Sequence, residues 1–153
     1  YRESVIYHEF GHAIDWQRNL RNSVEIKKIM AHWQKELMKY NSDGIPKIAH
    51  LSQKIDNIGW KTWNMEESTF KRMGITKADI LEQITATLDT IKALTLKYGR
   101  GHTTAYFKQP GFREAEFIAH CFENKFIGNR IFQKYLPELY NAMCQFIDNQ
   151  QKG

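Results

Sequence analysis

The sequence is poor in the residues that constrain a chain covalently or break its helices. Among its 153 residues there are two cysteines, Cys121 and Cys144, and three prolines. Two cysteines are too few for a disulfide framework, although a single bridge between them is compatible with the sequence. No proline lies within residues 1–20, so an uninterrupted helix is possible there.

Long apolar runs and dense clusters of charge are missing as well. The chain has no stretch of eighteen apolar residues and no signal peptide, and we therefore expect neither a membrane partner nor secretion. Its net charge of +5 would suit an acidic partner, but the lysines and arginines are spread along the chain. We expect no nucleic-acid partner, because such proteins usually concentrate their basic residues on one face.

What the chain does have is enough apolar side chains for a core. Hydrophobic residues make up 42% and aromatic residues 13% of the sequence, which predicts a single domain over residues 1–153. Apolar residues recur mostly at helical spacing, for example after the cap signals at residues 22–25 and 76–79 and after Pro137. The pattern predicts a mainly α fold. The aromatic segment 59–64 is expected to be irregular and to fill the core, or else to pack over a cleft.

The most informative stretch is the motif His-Glu-Phe-Gly-His at residues 8–12. In an α-helix, side chains four residues apart lie on one face, so His8 and His12 can reach the same metal ion. Glu9 then lies beside that pair. Gly11 costs about 1 kcal/mol relative to alanine inside a helix, which predicts that another part of the chain packs closely against it. The simpler alternative is a pair of half-buried histidines on an amphipathic helix.

Two segments carry a resemblance to a known family. Residues 8–15, His-Glu-Phe-Gly-His-Ala-Ile-Asp, resemble the active-site helix of the zincin metallopeptidases. Close variants occur in the catalytic core of anthrax lethal factor and in metallopeptidase domains associated with phage minor head proteins. Residues 113–122 resemble the helix that provides a glutamate ligand in lethal-factor-like enzymes. Matched in this way, Glu116 is the third metal ligand, and His120 stands where that family often has a second acidic residue.

The resemblance implies a zincin-like helical bundle around the motif helix and a zinc-dependent endopeptidase activity on a protein or peptide substrate. It assigns Zn²⁺ to His8, His12 and Glu116, with a fourth position left for water. Glu9 is then the general base that takes a proton from that water.

Two more polar residues are predicted to support the metal ligands. His120 is expected to orient a ligand by hydrogen bonding, or else to act as a further ligand. Asp15 lies too far along the helix to share an ion with His8, so it is expected to orient a ligand or to cap a backbone group. If Glu116 does not bind the metal, the next candidates for the third ligand are Glu114, Glu123 and His120.

Residues 99–107 are the only stretch that is typical of a loop followed by a short strand. They lead directly into the predicted Glu116 helix and could line the metal site. In that position His102 or Tyr106 could donate a hydrogen bond to the oxyanion of a tetrahedral intermediate. The alternative is that Tyr106 is a core aromatic residue and His102 is a loop residue at the surface.

In zincins the active-site helix normally follows a small sheet whose edge strand pairs with the substrate. Seven residues precede His8, and we expect that sheet to be missing or reduced and the chain to be a piece of a longer parent protein. A second hypothesis is therefore a phage head or toxin-associated module that binds a partner and has a structural or vestigial metal site. A phage virion and the host cytoplasm are both compatible locations.

Overall fold

The structure, a computed structural model, describes residues 3–152 and is mainly α, as predicted. Its helices in this range are α1 (Glu3–Arg18), α2 (Val24–Leu37), α3 (Lys47–Trp63), α4 (Glu67–Arg72), α5 (Lys77–Thr95), α6 (Thr104–Phe107), α7 (Phe112–Phe126), α8 (Arg130–Tyr135) and α9 (Pro137–Gln151). A short 3-10 helix, Leu20–Asn22, connects α1 to α2. No strand forms among residues 3–152, where the one isolated β-bridge joins Tyr40 and Pro46.

Helices α1 and α7 cross at close range. Gly11 is buried in α1, and a Cβ atom added there would lie 2.9 Å from the Cα atom of Ala119 in α7. The ring of Phe122 lies beside the same point, with its Cδ2 atom 3.1 Å away. The close packing predicted from Gly11 is therefore confirmed. It brings the histidine face of α1 against α7.

Helix α5 packs against α2, α3, α7 and α8. Its N-terminus is capped by the side chain of Thr76, which accepts a hydrogen bond of 3.0 Å from the backbone N–H of Asp79, as the sequence predicts. The helix ends before Leu96, whose φ of 60° is left-handed. Its apolar residues in the core are Ile84, Leu88, Ile91 and Leu94.

The prediction of a short strand within residues 99–107 is wrong. Thr104–Phe107 forms one helical turn, and the hydroxyl of Thr103 accepts a hydrogen bond of 3.1 Å from the backbone N–H of Tyr106. No strand is available among residues 3–152 to pair with this segment, whereas the threonine cap satisfies one of the free N–H groups of a helical turn.

The prediction that residues 59–64 form an irregular segment that fills the core is also wrong. Helix α3 continues to Trp63, and the side chains of Trp60 and Trp63 are 64% and 62% exposed. Helical periodicity explains the result, because Gly59 and Thr62 occupy the buried face of α3 and the two tryptophans lie on other faces.

Of the two C-terminal helices, α9 begins where the sequence predicts. The Asn129 side chain accepts a hydrogen bond of 2.9 Å from the backbone N–H of Phe132 and so caps α8. Pro137 is the first residue of α9, a position that suits its fixed φ. The buried residues of α9 are Leu139, Met143, Phe146 and Ile147.

Two further features agree with the composition. Cys121 is buried and Cys144 half-buried, and both are free thiols rather than a disulfide. Within residues 3–152, no helix combines the length and the apolar character that crossing a membrane requires.

Candidate metal centre

His8 and His12 lie on the face of α1 that meets α7. Their Nε2 atoms are 3.2 Å apart, because a separation of four residues places the two side chains one turn apart on the same side. Their side chains are 19% and 27% exposed. Both imidazoles therefore direct one nitrogen to a common point between the helices, and that point remains accessible from solvent.

Glu116 reaches the same point from α7. Its side chain is 5% exposed, and its Oε2 atom lies 3.0 Å from Nε2 of His8. Its Oε1 atom lies 3.4 Å from Nε2 of His12. The fold thus brings together the three residues that the resemblance implies as metal ligands, although Glu116 is 108 positions from His8 in the sequence.

The spacing of these atoms matches that of ligands around one tetrahedral ion. With metal–ligand bonds of about 2.0–2.1 Å, tetrahedral ligand atoms are about 3.3 Å apart. The observed separations are 3.2 Å between the two Nε2 atoms, 3.0 Å from His8 to Oε2 of Glu116 and 3.4 Å from His12 to Oε1 of Glu116. Two imidazoles and one carboxylate are also a ligand set that zinc uses. The types of residue present and their proximity therefore fit a divalent metal ion such as zinc.

Glu123 lies behind His8, where its Oε1 atom contacts Nδ1 of the ring. An ionised carboxylate only accepts hydrogen bonds, so Nδ1 carries a proton, and in the metal-free protein Nε2 carries a second proton that it donates to Oε2 of Glu116. An ion that replaces the proton on Nε2 would leave the Nδ1–H form that a metal-binding imidazole requires. From the sequence alone, Glu123 is only an alternative third ligand. Its seven-residue separation from Glu116, two turns along one helix face, is the signal that could have revealed this role.

His120 lies beside His8, with the two ring centroids 5.0 Å apart. Its Nε2 atom is 2.7 Å from Oδ2 of Asp89. Its Nδ1 atom is 3.2 Å from Oε1 of Glu123, but without the alignment of a hydrogen bond. Ligand atoms of His8, Glu116 and His120 also lie within 4.8 Å of one another. The two carboxylate contacts favour an orienting role for His120 over direct metal binding.

Asp89 is a buried carboxylate on α5 that the sequence analysis did not identify. It is 4% exposed, and its Oδ1 atom accepts hydrogen bonds from the backbone N–H of His102 at 2.7 Å and from Nδ1 of that ring at 3.0 Å. Ligand atoms of Asp89, His102 and Glu116 lie within 4.8 Å of one another. The available signal is that Asp89 is the only charged residue between Glu82 and Lys92, since a lone carboxylate must find partners when it is buried.

Tyr106 and His102 both face the centre. The Tyr106 hydroxyl donates a hydrogen bond of 2.9 Å to Oε1 of Glu116, and Nε2 of His102 is 3.7 Å from the same oxygen. The two rings are stacked, with centroids 4.3 Å apart. Burial and the Glu116 carboxylate raise the pKa of Tyr106 to about 12, so its hydroxyl remains a hydrogen-bond donor at neutral pH.

Glu9 and Asp15 lie in contrasting surroundings. Glu9 is exposed, and within residues 3–152 its carboxylate has no hydrogen-bond or ion-pair partner. Asp15 is fully buried, where Oδ1 accepts a hydrogen bond of 2.7 Å from the backbone N–H of Arg21 and Oδ2 lies 2.7 Å from the Arg21 guanidinium. Arg21 therefore engages both oxygens of Asp15. This is the backbone-capping role and not the orientation of a metal ligand.

The carboxylates of the centre are ionised at neutral pH. Burial tends to raise the pKa of Glu116, but hydrogen bonds from His12 and His8 outweigh burial and hold the pKa below its ordinary value. Burial also tends to raise the pKa of Glu123, but the nearby charge of His120 and the hydrogen bond from His8 outweigh burial and lower that pKa to about 2. Ionised carboxylates in such a buried cluster need positive charge beside them. Protons on the histidines or a divalent cation can supply it.

The same carboxylates raise the pKa values of His8 and His120. Burial tends to lower the pKa of His8, but Glu116 and Glu123 outweigh burial and raise it. The pKa of His120 is raised well above its ordinary value because Glu123 and Asp89 outweigh its burial. In the metal-free protein these protons supply the positive charge, and an ion bound to His8 would displace the proton from that ring.

A groove connects the centre with the N-terminal half of α5. Its volume is about 1140 Å³, and His8, His102 and Asp89 are among the residues that line it. Its walls combine polar and charged residues with a set of aliphatic side chains, which are Val5, Ile75, Ile80, Leu81 and Ile127. A groove of this composition can accept apolar side chains of a ligand beside the centre.

Comparisons of the chain with protein-family models, curated proteins and solved structures gave no match. The function of the centre therefore has to be inferred from the chemistry of its side chains. That chemistry consists of two imidazoles and a buried carboxylate in close contact, further carboxylates behind the rings, and an exposed Glu9 that follows His8 in the chain.

Proposed function

We propose that the protein is a zinc-dependent metallopeptidase that hydrolyses peptide bonds, built as a zincin-like helical bundle. The observation that carries this proposal is the placement of Nε2 of His8 and Nε2 of His12, 3.2 Å apart, against the buried carboxylate of Glu116. The ligand types, their proximity and the contact of Glu123 with Nδ1 of His8 all suit zinc.

His8, His12 and Glu116 would hold the ion. When bound, zinc supplies a Lewis acid that polarises a carbonyl group and makes water acidic enough to attack at neutral pH. Glu123 supports binding by keeping the proton of His8 on Nδ1, which directs the lone pair of Nε2 to the ion.

Glu9 is the proposed general base. It is next to His8 in the chain, so its carboxylate lies at the edge of the imidazole pair, and it is exposed to solvent. From there it accepts the proton of the attacking water and passes that proton to the leaving amine of the substrate. Both transfers require a carboxylate that is not engaged by another side chain.

Tyr106 is the proposed donor to the oxyanion. Its hydroxyl already donates to Oε1 of Glu116 at 2.9 Å, so a substrate oxygen next to that carboxylate lies within its reach. A pKa raised to about 12 by burial and by Glu116 keeps the proton on the hydroxyl. A preorganised donor of this kind stabilises the negative charge of a tetrahedral intermediate.

The proposed substrate is a polypeptide with apolar side chains near the scissile bond. The groove of about 1140 Å³ beside His8 and His102 supports this choice, because Val5, Ile80 and Leu81 are among its lining residues. Residues 3–152 contain no strand with which an extended substrate could pair. Recognition by these residues therefore depends on side-chain contacts in the groove.

Measurement of bound metal tests the proposal first. We expect one equivalent of zinc in the purified protein and cleavage of a mixed peptide library that a chelator abolishes and added zinc restores. Glu9→Gln should keep one equivalent of zinc and lose turnover, whereas Glu138→Gln, an exposed change on α9, should retain both. Equal activity of Glu9→Gln and the wild type would refute the general-base assignment.

A second candidate is a partner-binding module in which the metal has only a structural role. The observation in its favour is the absence of a substrate-pairing strand from residues 3–152. Stoichiometric zinc without cleavage of any peptide, together with unfolding at a lower temperature after chelation, would support this second function.

A further inference from the structure

We propose that Asp89 is a positioning residue whose carboxylate fixes the ring orientation and tautomer of His102, so that Nε2 of His102 faces the metal centre as a hydrogen-bond acceptor. The consequence for catalysis rests on the peptidase function proposed above. The orientation and tautomer of His102 are independent of that function and can be tested separately.

The contacts between Asp89 and His102 define one tautomer. Oδ1 of Asp89 accepts hydrogen bonds from the backbone N–H and from Nδ1 of His102, at 2.7 and 3.0 Å, and Oδ2 is 3.1 Å from Nδ1. An ionised carboxylate has no proton to donate, so Nδ1 carries the hydrogen. In a neutral imidazole, Nε2 then has only a lone pair, and it lies 3.7 Å from Oε1 of Glu116.

Asp89 is itself held in place from a second direction. Its Oδ2 atom lies 2.7 Å from Nε2 of His120 on α7, and the carboxylate is buried. One side chain on α5 therefore joins α7 to the segment that carries His102. A carboxylate that is fixed by two imidazoles and a backbone N–H has little freedom to release either ring.

Gly101 shows how closely this segment passes over the carboxylate. A Cβ atom at Gly101 would overlap Oδ1 of Asp89, and the φ of +148° is unfavourable for residues with a side chain. The glycine thus permits the backbone of residues 101–102 to lie directly on Asp89. This approach allows one carboxylate to bind both the main chain and the ring of His102.

The result is a matched pair of groups beside the metal centre. Tyr106 presents a donor and His102 presents an acceptor from rings stacked 4.3 Å apart. A peptide bond has a carbonyl oxygen that accepts and an N–H that donates, so the pair can bind both ends of one amide. An ester has no N–H and gains nothing from His102. Asp89 would therefore contribute to a preference for amides over esters.

Nuclear magnetic resonance of the metal-free protein tests the geometry without relying on activity. Long-range ¹H–¹⁵N spectra should show His102 as a single Nδ1–H tautomer in the wild type and as a mixture in Asp89→Asn. Gly101→Ala, which displaces the carboxylate without removing it, should have the same effect. Circular dichroism shows whether Asp89→Asn and Gly101→Ala are folded. If one of them is not, the tautomer of His102 in the other variant tests the proposal.

The matched control is Asp56→Asn. Asp56 pairs with Arg100 at 2.6 Å and anchors the same segment two residues before His102 without touching the ring. It should leave the tautomer of His102 unchanged. An Nε2–H tautomer in the wild type, an unchanged tautomer in Asp89→Asn, or an equal change in Asp56→Asn would overturn the proposal.

Kinetics test the consequence for the proposed peptidase. Asp89→Asn should lower kcat on a peptide about tenfold while kcat on the matched ester and the zinc content stay within about twofold of the wild type. An equal loss on both substrates would overturn the amide-binding role. If the wild type cleaves no peptide, the peptidase function fails and the tautomer measurements alone decide the role of Asp89.

Discussion

Nδ1 of His8 contacts the carboxylate of Glu123, although the two residues are 115 positions apart in the chain. The contact joins α1 to α7 behind the imidazole and leaves Nε2 of His8 3.0 Å from Oε2 of Glu116. Carboxylates in this position orient a metal-binding ring and increase its basicity. Glu123 thus places an acidic group behind the ring of His8.

Glu123→Gln should weaken zinc binding by about 10–100-fold, the usual effect of losing such a partner. The amide leaves a hydrogen-bond acceptor for Nδ1 of His8 but removes the charge that makes the ring basic. Competition with a chromophoric chelator measures the affinity. Glu114→Gln is the matched control, because Glu114 is on the same helix and is only half-buried; an equal loss in both variants would contradict the specific role of Glu123.

Glu116→Ala should weaken zinc binding more than Glu123→Gln does, because it removes a proposed ligand atom and not an outer contact. The Tyr106 hydroxyl would also lose its acceptor. The same chelator competition measures the change, with Glu114→Ala as the control. Unchanged affinity in Glu116→Ala would transfer the third-ligand role to Glu123 or His120.

Gly11→Ala should destabilise the protein by about 1–3 kcal/mol, the usual cost of overpacking a core. The new Cβ atom would lie 2.9 Å from the backbone of Ala119, which cannot move aside without separating α1 from α7. Gly59→Ala is the matched control, since its Cβ atom would meet Ile84 at an ordinary 3.5 Å. Better helix propensity should make that change neutral or stabilising by up to about 1 kcal/mol. Urea unfolding measures both, and equal stability of the two variants would contradict the prediction.

The features that the sequence predicted correctly have local causes. The Thr76 cap and the Pro137 helix start each depend on a few neighbouring residues, and the close approach at Gly11 has a local signal, the cost of a glycine inside a helix. Helical spacing alone also placed His8 and His12 on one face. The features that it missed depend on the tertiary fold. A carboxylate such as Asp89 or Glu123 has the same local pattern whether it faces solvent or a histidine from another helix.

The errors have the same origin. The large apolar side chains of Trp60 and Trp63 suggest a place in the core. The buried face of α3 is instead formed by other residues, which include Gly59 and Thr62. The strand expected within residues 99–107 needed a partner strand, and none forms among residues 3–152. Propensity predicts what a segment can form, whereas its neighbours decide what it does form.

The stability of the metal-free protein should fall as the pH rises from 6 to 8. The folded state raises the pKa of His8 and of His120 above 6.5, because Glu116, Glu123 and Asp89 favour the charged rings. Between the unfolded pKa and the raised pKa, the folded state binds more protons than the unfolded state. The stabilisation from these rings is therefore complete below pH 6.5 and is lost as the pH rises through the raised values.

Urea unfolding with a chelator present measures this dependence, and saturating zinc should weaken or reverse it, because the ion replaces the proton on His8 and binds better as the pH rises. His8→Gln should flatten the decline in the metal-free protein, while His50→Gln, a change at an exposed histidine paired with Asp43, should not. Below pH 4.5 the sign changes, since the lowered pKa values of Glu116 and Glu123 mean that their stabilisation is lost as the pH falls. A metal-free protein that is equally stable at pH 6 and pH 8 would show that carboxylates do not hold protons on these histidines, and the charge argument for a cation at this centre would fail with it.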